Sequence, residues 1–288
     1  MREGRPSTTA GNIALARAWL TRAGIIDDPY AWRFLSRRQA HAERLLWWSR
    51  RARLGQRAFA YLAARTRFYD AVVTDALDAG IDQVVLVGAG FDTRAWRLAR
   101  PGVQYYEVDH PATQTSKRAH APNGSGPIYA PADLAAVSLD EVLTEAGLEP
   151  SRPSVICCEG LTMYLTAGAI GRLLRSAAAV AARGSRLGVE FGAQVVSERD
   201  PHRLLRLLTR VWHEWAGEPI ITGIDPATAP DLLTRFGWTV KDILPAPTLQ
   251  DRYLDPSELP FRFTHAGTFA INAIRAAPTD QVSGDGKQ

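Results

Sequence analysis

From residue 83 onward the chain alternates short apolar runs, most of them followed by glycine or an acidic residue, with segments long enough for one helix. The runs are QVVLVGAG, VQYYEVD, PIYAPADL, SVICCEG and RLGVEF. Buried strands of a parallel sheet have this apolar pattern, and helices usually connect them. The alternation therefore predicts an α/β fold with a mostly parallel sheet and helices on both faces. Two later apolar runs, 239–244 and 265–274, bring the predicted strands to seven.

The segment before this region has a helical pattern. Residues 14–79 contain few glycines, and their aromatic side chains recur at near-helical spacing, which predicts several helices in an N-terminal cap over residues 1–80. The α/β core is predicted over residues 81–276. Within it, the amphipathic run HRLLRLLTRVWHEW and a glycine- and proline-rich stretch predict a lid inserted at about 192–235, above the carboxyl ends of the strands. Residues 277–288 are predicted to form a flexible tail.

Composition excludes several classes of protein. With 46% hydrophobic and 22% charged residues among 288, the chain is expected to fold rather than to be disordered. No apolar run approaches the roughly 18 residues of a membrane span, and the first residues lack the apolar centre of a secretion signal, so we expect a cytoplasmic protein without a membrane partner. The only cysteines, Cys157 and Cys158, are adjacent in an apolar run. They are expected to be buried strand residues, with no disulfide and no metal.

A glycine turn follows the first predicted strand, at the edge where open α/β sheets bind ligands. Gly88, Ala89 and Gly90 allow the backbone to turn sharply and to approach a ligand. The full dinucleotide fingerprint would have a small residue three positions after Gly90, but Thr93 stands there. The turn therefore disfavours NAD.

Acidic side chains stand at the ends of the next three strands. Asp109 follows Gly90 by 19 residues, a spacing at which a carboxylate can accept both hydroxyls of a ribose; capping of the next helix is the alternative. Asp133 suits the amino group of an adenine, with Leu134 against the ring, and Glu159 suits an ammonium or sulfonium. The set favours an adenosine with a cationic amino-acid tail over an anionic dinucleotide.

At these residues the sequence resembles the class I S-adenosylmethionine (SAM) dependent methyltransferases, which have a Rossmann-like sheet. Within that class it resembles the leucine carboxyl methyltransferase-like family, which includes bacterial polyketide carboxyl O-methyltransferases. The matching stretches stand in the family's order, and they are Asp28-Pro29-Tyr30-Ala31, Arg65-Thr66-Arg67-Phe68-Tyr69-Asp70, Gly88-Ala89-Gly90-Phe91-Asp92-Thr93-Arg94 with Arg97, Glu107-Val108-Asp109-His110-Pro111, Ala132-Asp133-Leu134, and Glu159-Gly160-Leu161-Thr162-Met163-Tyr164-Leu165.

The resemblance implies SAM as the cofactor and S-adenosylhomocysteine (SAH) as its product. It further implies that the methionine part of SAM lies along Gly88, Ala89 and Gly90. The ribose would be held by Asp109 and the adenine by Asp133 and Leu134. The charged end of the methionine part would face Glu159. By the family pattern, Arg17 and Arg65 would reach over the SAM carboxylate. The alignment of this stretch with the family pattern leaves Arg67 as an alternative to Arg65 at that position. We assign Arg67 to the substrate. Solvated arginines on helix faces are the other interpretation.

The acceptor is predicted from what the sequence lacks. Its histidines form no evident catalytic set, and a carboxylate acceptor is already ionised at neutral pH, so it needs no general base. This favours O-methylation of a carboxylate on a bulky, aromatic small molecule, with a hydroxyl group or a protein carboxyl terminus as alternatives. Tyr164 is a candidate for positioning the acceptor. Trp212, His213 and Trp215 of the predicted lid are candidates for lining an aromatic substrate, or they belong to a packing helix.

Three other functions are alternatives to this one. The basic segment 37–57 might bind nucleic acid or anionic lipid, but such runs are usually solvated helix faces, and the fourth strand lacks the Pro-Pro-aromatic turn of amino-methylating enzymes. No nucleic-acid partner is therefore expected. An NAD-dependent oxidoreductase would use the same sheet, and a non-catalytic SAM-binding protein would bind the cofactor without turnover.

Overall fold

The computed structural model describes residues 7–48, 53–193, 220–255 and 267–276. Helices come first along the chain, as predicted. They are α1 (Thr8–Arg22), a short 3-10 helix (Ala31–Phe34), α2 (Arg37–Trp48) and α3 (Arg53–Asp78). The Ser7 hydroxyl caps α1 by accepting the Ala10 N–H at 3.1 Å.

Seven strands form one sheet, in the spatial order β3-β2-β1-β4-β5-β7-β6. In chain order they are β1 (Gln83–Val87), β2 (Gln104–Asp109), β3 (Ile128–Pro131), β4 (Ser154–Cys158), β5 (Arg186–Gly192), β6 (Trp238–Pro245) and β7 (Thr268–Arg275). Neighbours are parallel except that β7 runs antiparallel to both β5 and β6. The predicted mostly parallel, seven-stranded sheet is confirmed.

Among the described residues, six further α-helices follow or connect these strands. They are α4 (Arg94–Arg97), α5 (Pro111–Arg118), α6 (Leu139–Glu145), α7 (Ala167–Ala179), α8 (Ala229–Thr234) and α9 (Ala246–Tyr253). Within the described ranges, no helix has the length and apolar character needed to cross a membrane.

Both faces of the sheet are covered, because successive side chains of a strand point to opposite sides. In β1, Val85 and Val87 belong to a cluster with α7, whereas Val84 and Leu86 belong to a second cluster with α3. Helix α3 thus packs directly on the sheet. Cys157 and Cys158 are buried free thiols in β4, so the prediction of buried strand cysteines is confirmed.

The order of the strands reverses direction at β1. The chain moves outward from β1 to β2 and β3, then returns to place β4 on the other side of β1. In open α/β sheets such a reversal opens a crevice at the carboxyl ends of the strands, where ligands bind. The predicted glycine turn and the turns after β2 and β4 lie around this point.

Of the predicted lid, residues 192–193 and 220–235 are described. There, Ile221 N–H donates to Met163 O at 2.8 Å, and Ile224 N–H donates to Gly192 O at 2.8 Å. This segment therefore lies against the turn after β4 and the end of β5. Residues 194–219, with the predicted lid helix, and the predicted tail 277–288 fall outside the described residues.

Candidate functional site

The turn after β1 requires its two glycines. Gly88 and Gly90 have φ values of 66° and 48°, which side-chain-bearing residues rarely adopt. A Cβ atom on Gly88 would lie 3.1 Å from Leu161 Cδ1, and one on Gly90 would lie 3.1 Å from Ala10 Cβ. Both distances are shorter than ordinary van der Waals contacts. Helix α1 therefore passes directly over the turn, and the absence of side chains lets it do so.

Asp109 joins this turn to the end of β2. Its carboxylate accepts the N–H of Gly90 and that of His110, each at 2.6 Å. Burial raises the pKa of Asp109, and the two hydrogen bonds offset that rise only in part. The cap of α5 is His110, whose Nδ1 accepts the Ala112 N–H, so Asp109 does not have the alternative capping role. Each carboxylate oxygen has a second lone pair with which it can accept a further hydroxyl.

Glu159, directly after β4, is held by two arginines. Its Oε1 lies 3.0 Å from Arg65 Nε, and its Oε2 lies 2.7 Å from Arg94 Nη1. The Glu159 side chain is 14% exposed, whereas that of Arg94 is fully buried. Arg65 comes from α3 and Glu159 from the sheet, so the structure brings together two residues predicted for the same end of the cofactor.

Arg65 also contacts a second carboxylate, that of Glu190 in β5, at 3.3 Å. Burial by itself would lower the pKa of Arg65, but Glu190 and Glu159 outweigh that effect and raise it above its ordinary value. Arg65 therefore stays charged although it is buried. Sequence reasoning missed Glu190, because it stands inside an apolar strand run and in none of the family-like stretches.

Arg94 binds two aspartates in addition to Glu159. Its Nε lies 2.7 Å from Asp70 Oδ1, and its Nη1 lies 2.5 Å from Asp92 Oδ2. Arg97 is 2.8 Å from the same oxygen of Asp70. Burial would raise the pKa of Asp70, but Arg94 and Arg97 more than compensate and hold it below its ordinary value. Asp70, Arg94 and Arg97 stood in the family-like stretches without an assigned role.

Arg17 connects α1 to the ion pairs around Arg94 and Arg97. Its guanidinium donates to the carbonyl of Phe91, and its Nε lies 3.3 Å from Asp28 Oδ2. Asp28 Oδ1 in turn lies 3.9 Å from Arg97 Nε. The result is a largely buried ion-pair chain of alternating charge, which consists of Arg17, Asp28, Arg97, Asp70, Arg94, Glu159, Arg65 and Glu190.

Arg67 has different partners from Arg65. It donates to the carbonyl of Tyr253 at 2.9 Å and to that of Ile25, and so ties the end of α9 to the segment after α1. Its assignment to the substrate stays a prediction. The sequence left open which of the two arginines takes the position next to the methionine end. In the structure Arg65, not Arg67, contacts Glu159.

The remaining predicted residues have the following positions. Asp133 is exposed and its Oδ1 accepts the Ala135 N–H at 3.0 Å, while Leu134 is half-buried. Tyr164 is half-buried at the end of a 3-10 helix, Thr162–Tyr164, after β4. Their roles toward adenine and acceptor stay predictions. The predicted substrate residues of the lid, namely Trp212, His213 and Trp215, lie outside the described residues.

A match to a family model identifies the family of this chain. The model of leucine carboxyl methyltransferase matches residues 10–178, which include α1, the glycine turn and the turn after β4. The chain belongs to the leucine carboxyl methyltransferase family. The resemblance found in the sequence is thereby confirmed.

Relatives of this family member agree with the assignment. A protein of Mycobacterium avium (strain 104) named "Putative S-adenosyl-L-methionine-dependent methyltransferase" is 34% identical over 283 residues, covering 86% of each chain. The crystal structure of a putative methyltransferase from Thermobifida fusca YX matches with a TM-score of 0.57 at 18% identity, over 96% of this chain and 97% of that one. A DUF574 family protein from Streptomyces avermitilis matches with a TM-score of 0.56, at 18% identity, over 90% and 96%. The structures support the fold, and the relatives confirm SAM as the predicted cofactor.

The residues of this family member fit SAM. The turn carries no side chain at Gly88 or Gly90, so a ligand can approach its backbone, and the half-buried carboxylate of Asp109 stands beside it. The methionine end of SAM carries one carboxylate and one ammonium, and the pair of Arg65 and Glu159 presents both complementary charges. Like Arg65, the Arg17 guanidinium already has partners within the protein, namely Asp28 and the carbonyl of Phe91.

Proposed function

We propose that this leucine carboxyl methyltransferase family member methylates a carboxylate oxygen of a bulky small molecule, such as an aromatic polyketide intermediate. The observation that carries the proposal is the paired Arg65 and Glu159 beside a glycine turn, in a chain of this family. The acceptor class is inferred from the lack of an evident general base among the described residues near the strand ends.

Cofactor binding is assigned to residues around the reversal at β1. The glycine turn Gly88, Ala89 and Gly90 and the Arg65–Glu159 pair hold the methionine part, with Arg17 reaching over it from α1. Asp109 holds the ribose, and Asp133 with Leu134 holds the adenine. When bound, SAM supplies a methyl group on a positively charged sulfur, which a nucleophile can displace. The residues around it have to align the two reactants and exclude water.

No general base is evident among the described residues near the strand ends. Of the histidines that the structure describes, only His110 follows one of these strands, and its Nδ1 already accepts a backbone N–H. Burial raises the pKa of Tyr61 and of Tyr69, so both phenols stay protonated and act as donors. A carboxylate acceptor fits this environment because it is ionised without assistance.

Acceptor recognition is assigned to the side facing the lid. Tyr164 follows β4 and lies next to Met163, whose carbonyl accepts the N–H of Ile221 at the end of the predicted lid. Tyr164 and Arg67 are proposed to orient the acceptor, and Trp212, His213 and Trp215 to line its aromatic part. The proposed partner is therefore a small molecule, with neither nucleic acid nor a membrane involved.

The test is methyl transfer from isotopically labelled SAM to matched acceptors. Aromatic carboxylic acids, the corresponding phenols and a peptide with a free carboxyl terminus are incubated with the full chain, and each product is treated with mild alkali. Methyl esters release labelled methanol under alkali, whereas methyl ethers do not. The proposal expects alkali-labile product from the aromatic acids. Alkali-stable product from phenols, product from the peptide alone, or SAM binding without turnover on any of these acids would overturn it.

A further inference from the structure

Glu190 is a buried carboxylate that neither the family-like stretches nor the proposed reaction accounts for. It lies in β5 with no exposed surface. Its Oε2 accepts the Gly160 N–H at 3.0 Å and lies 3.3 Å from Arg65 Nη1, and its Oε1 accepts the Tyr61 hydroxyl. Burying a carboxylate is costly unless its oxygens are paired, and here both are.

These contacts reach both members of the Arg65–Glu159 pair. Glu190 binds Arg65 directly, and it binds Glu159 through the N–H of the next residue, Gly160. A Cβ atom on Gly160 would lie 3.4 Å from Arg65 Nη1, so the guanidinium packs closely over this glycine. The Thr162 hydroxyl donates to the backbone carbonyl of Glu190. The turn that carries Glu159 is thus fastened to β5.

Tyr61 holds the other oxygen of Glu190. It lies one helical turn before Arg65 on α3, with its ring centroid 5.7 Å from Arg65 Cζ. Its hydroxyl accepts from Thr268 Oγ1 at 2.6 Å while it donates to Glu190. Donation to a carboxylate is a strong, directional hydrogen bond. Tyr61 therefore limits the positions that the Glu190 carboxylate can take.

We infer that Glu190, fixed by Tyr61, is a positioning residue that orients Arg65 and Glu159 for the methionine end of the cofactor. The inference rests on the proposed role of that pair. A long arginine side chain loses considerable rotamer freedom when it is held in one geometry. Glu190 provides that restraint before the cofactor arrives, so less ordering is required on binding.

The test measures SAH binding by calorimetry at a temperature far below the melting point of each variant. SAH needs no acceptor, so a wrong acceptor assignment leaves this test unaffected. Glu190→Gln keeps the shape of the side chain but removes its charge, and it should weaken SAH binding about tenfold, the effect of one charge-assisted hydrogen bond. Unchanged or tighter SAH binding by the folded variant would overturn the inference.

Tyr61→Phe provides a second, milder variant in case Glu190→Gln does not fold. Tyr106→Phe is its matched control, because the Tyr106 hydroxyl donates to the Gly147 carbonyl, away from this cluster. Only Tyr61→Phe should weaken SAH binding, by several-fold, although each variant loses the hydrogen bond that its hydroxyl donates. Equal SAH affinity in the two variants would contradict the inference.

A double variant separates positioning from an independent effect. If Glu190 acts through Arg65, then Arg65→Ala combined with Glu190→Gln should bind SAH almost as well as Arg65→Ala alone. If the fold-loss of SAH affinity in the double variant equalled the product of the fold-losses in the two single variants, Glu190 would not act through Arg65. A merely structural role would lower the melting temperatures without this dependence of one substitution on the other.

Discussion

Arg94 Nη1 lies 2.7 Å from Glu159 Oε2, across a gap of 65 residues in the chain. Arg94 begins the short helix after the glycine turn, and Glu159 begins the turn after β4. The contact therefore links the two turns that border the crevice at the reversal of strand order. Since Arg94 also binds Asp70 of α3, it ties the N-terminal helices to the same point.

Removal of Arg94 is expected to destabilise the whole protein. Arg94→Met would leave Asp70, Asp92 and Glu159 without their shared cation in a buried setting. Breaking a buried ion pair by removing one partner costs about 3–5 kcal/mol. Urea unfolding at pH 7 should show a loss of that order in the free energy of unfolding.

Arg94→Lys is the control for this variant. It retains the charge but cannot bind three carboxylates with a planar fork, so its loss should be smaller than that of Arg94→Met. An Arg94→Met protein as stable as the wild type would mean that the ion-pair chain contributes nothing to folding.

A buried ion pair between β2 and α5 predicts a dependence of stability on pH. Glu107 lies 2.7 Å from Lys117, and both are buried. Burial raises the pKa of Glu107 from 4.5 to about 7 even though Lys117 opposes the shift. Between these two values the folded state binds more protons than the unfolded state, so the contribution of Glu107 to stability falls as pH rises from about 4.5 to about 7.

Glu107→Gln should remove this part of the pH dependence, because glutamine does not titrate. Denaturant unfolding at intervals from pH 4.5 to pH 8 compares the two proteins. The free energy of unfolding of the wild type, relative to the variant, should decline across the lower part of that range and level off above pH 7. Parallel curves for the two proteins would refute a raised pKa at Glu107.

The close approach of α1 to the glycine turn predicts a selective loss of cofactor binding. Gly90→Ala adds a Cβ atom 3.1 Å from Ala10 Cβ at a backbone φ of 48°. A non-glycine residue in the left-handed region costs about 1–3 kcal/mol. Calorimetry should show strongly weakened SAM binding.

Gly102→Ala is the matched control for the backbone. Gly102 has a φ of 81°, but nothing lies within 4 Å of the added Cβ atom. It should therefore lose stability through backbone strain alone and still bind SAM normally. Similar SAM affinities for the two alanine variants would show that the glycine turn does not border the cofactor.

Asp109→Ala is expected to weaken SAM binding at least about tenfold, because the ribose loses its acceptor and the glycine turn loses the bond to Gly90 N–H. Calorimetry measures the SAM dissociation constant. Asp78→Ala, which breaks an exposed ion pair with Arg100, should leave that constant unchanged. An Asp109→Ala protein with wild-type SAM affinity would remove the ribose assignment.

The sequence predicts the strands well because each is a short apolar run between polar turns. It does not encode the direction of β7, since the apolar pattern of an antiparallel strand between two neighbours resembles that of a parallel one. The ends of β1, β2 and β4 were also predictable, because parallel strands deliver their carboxyl ends to one edge of the sheet.

The partners of the charged side chains were not predictable. Arg65 and Arg67 stand two residues apart, but at 100° per residue on a helix they face different directions, and only the packing of α3 decides which one meets Glu159. Glu190 is a single acidic residue inside an apolar strand, and 125 residues separate it from Arg65. Its role follows from the register of β5 in the sheet, which local sequence does not specify.

A crystal structure of the full chain with SAH is the sharpest test of the proposed cofactor site. Both ribose hydroxyls should lie within hydrogen-bond distance of the Asp109 carboxylate, and the amino and carboxylate groups of SAH should lie against Glu159 and Arg65. SAH bound elsewhere, or in this crevice with its ribose away from Asp109, would contradict the proposed site.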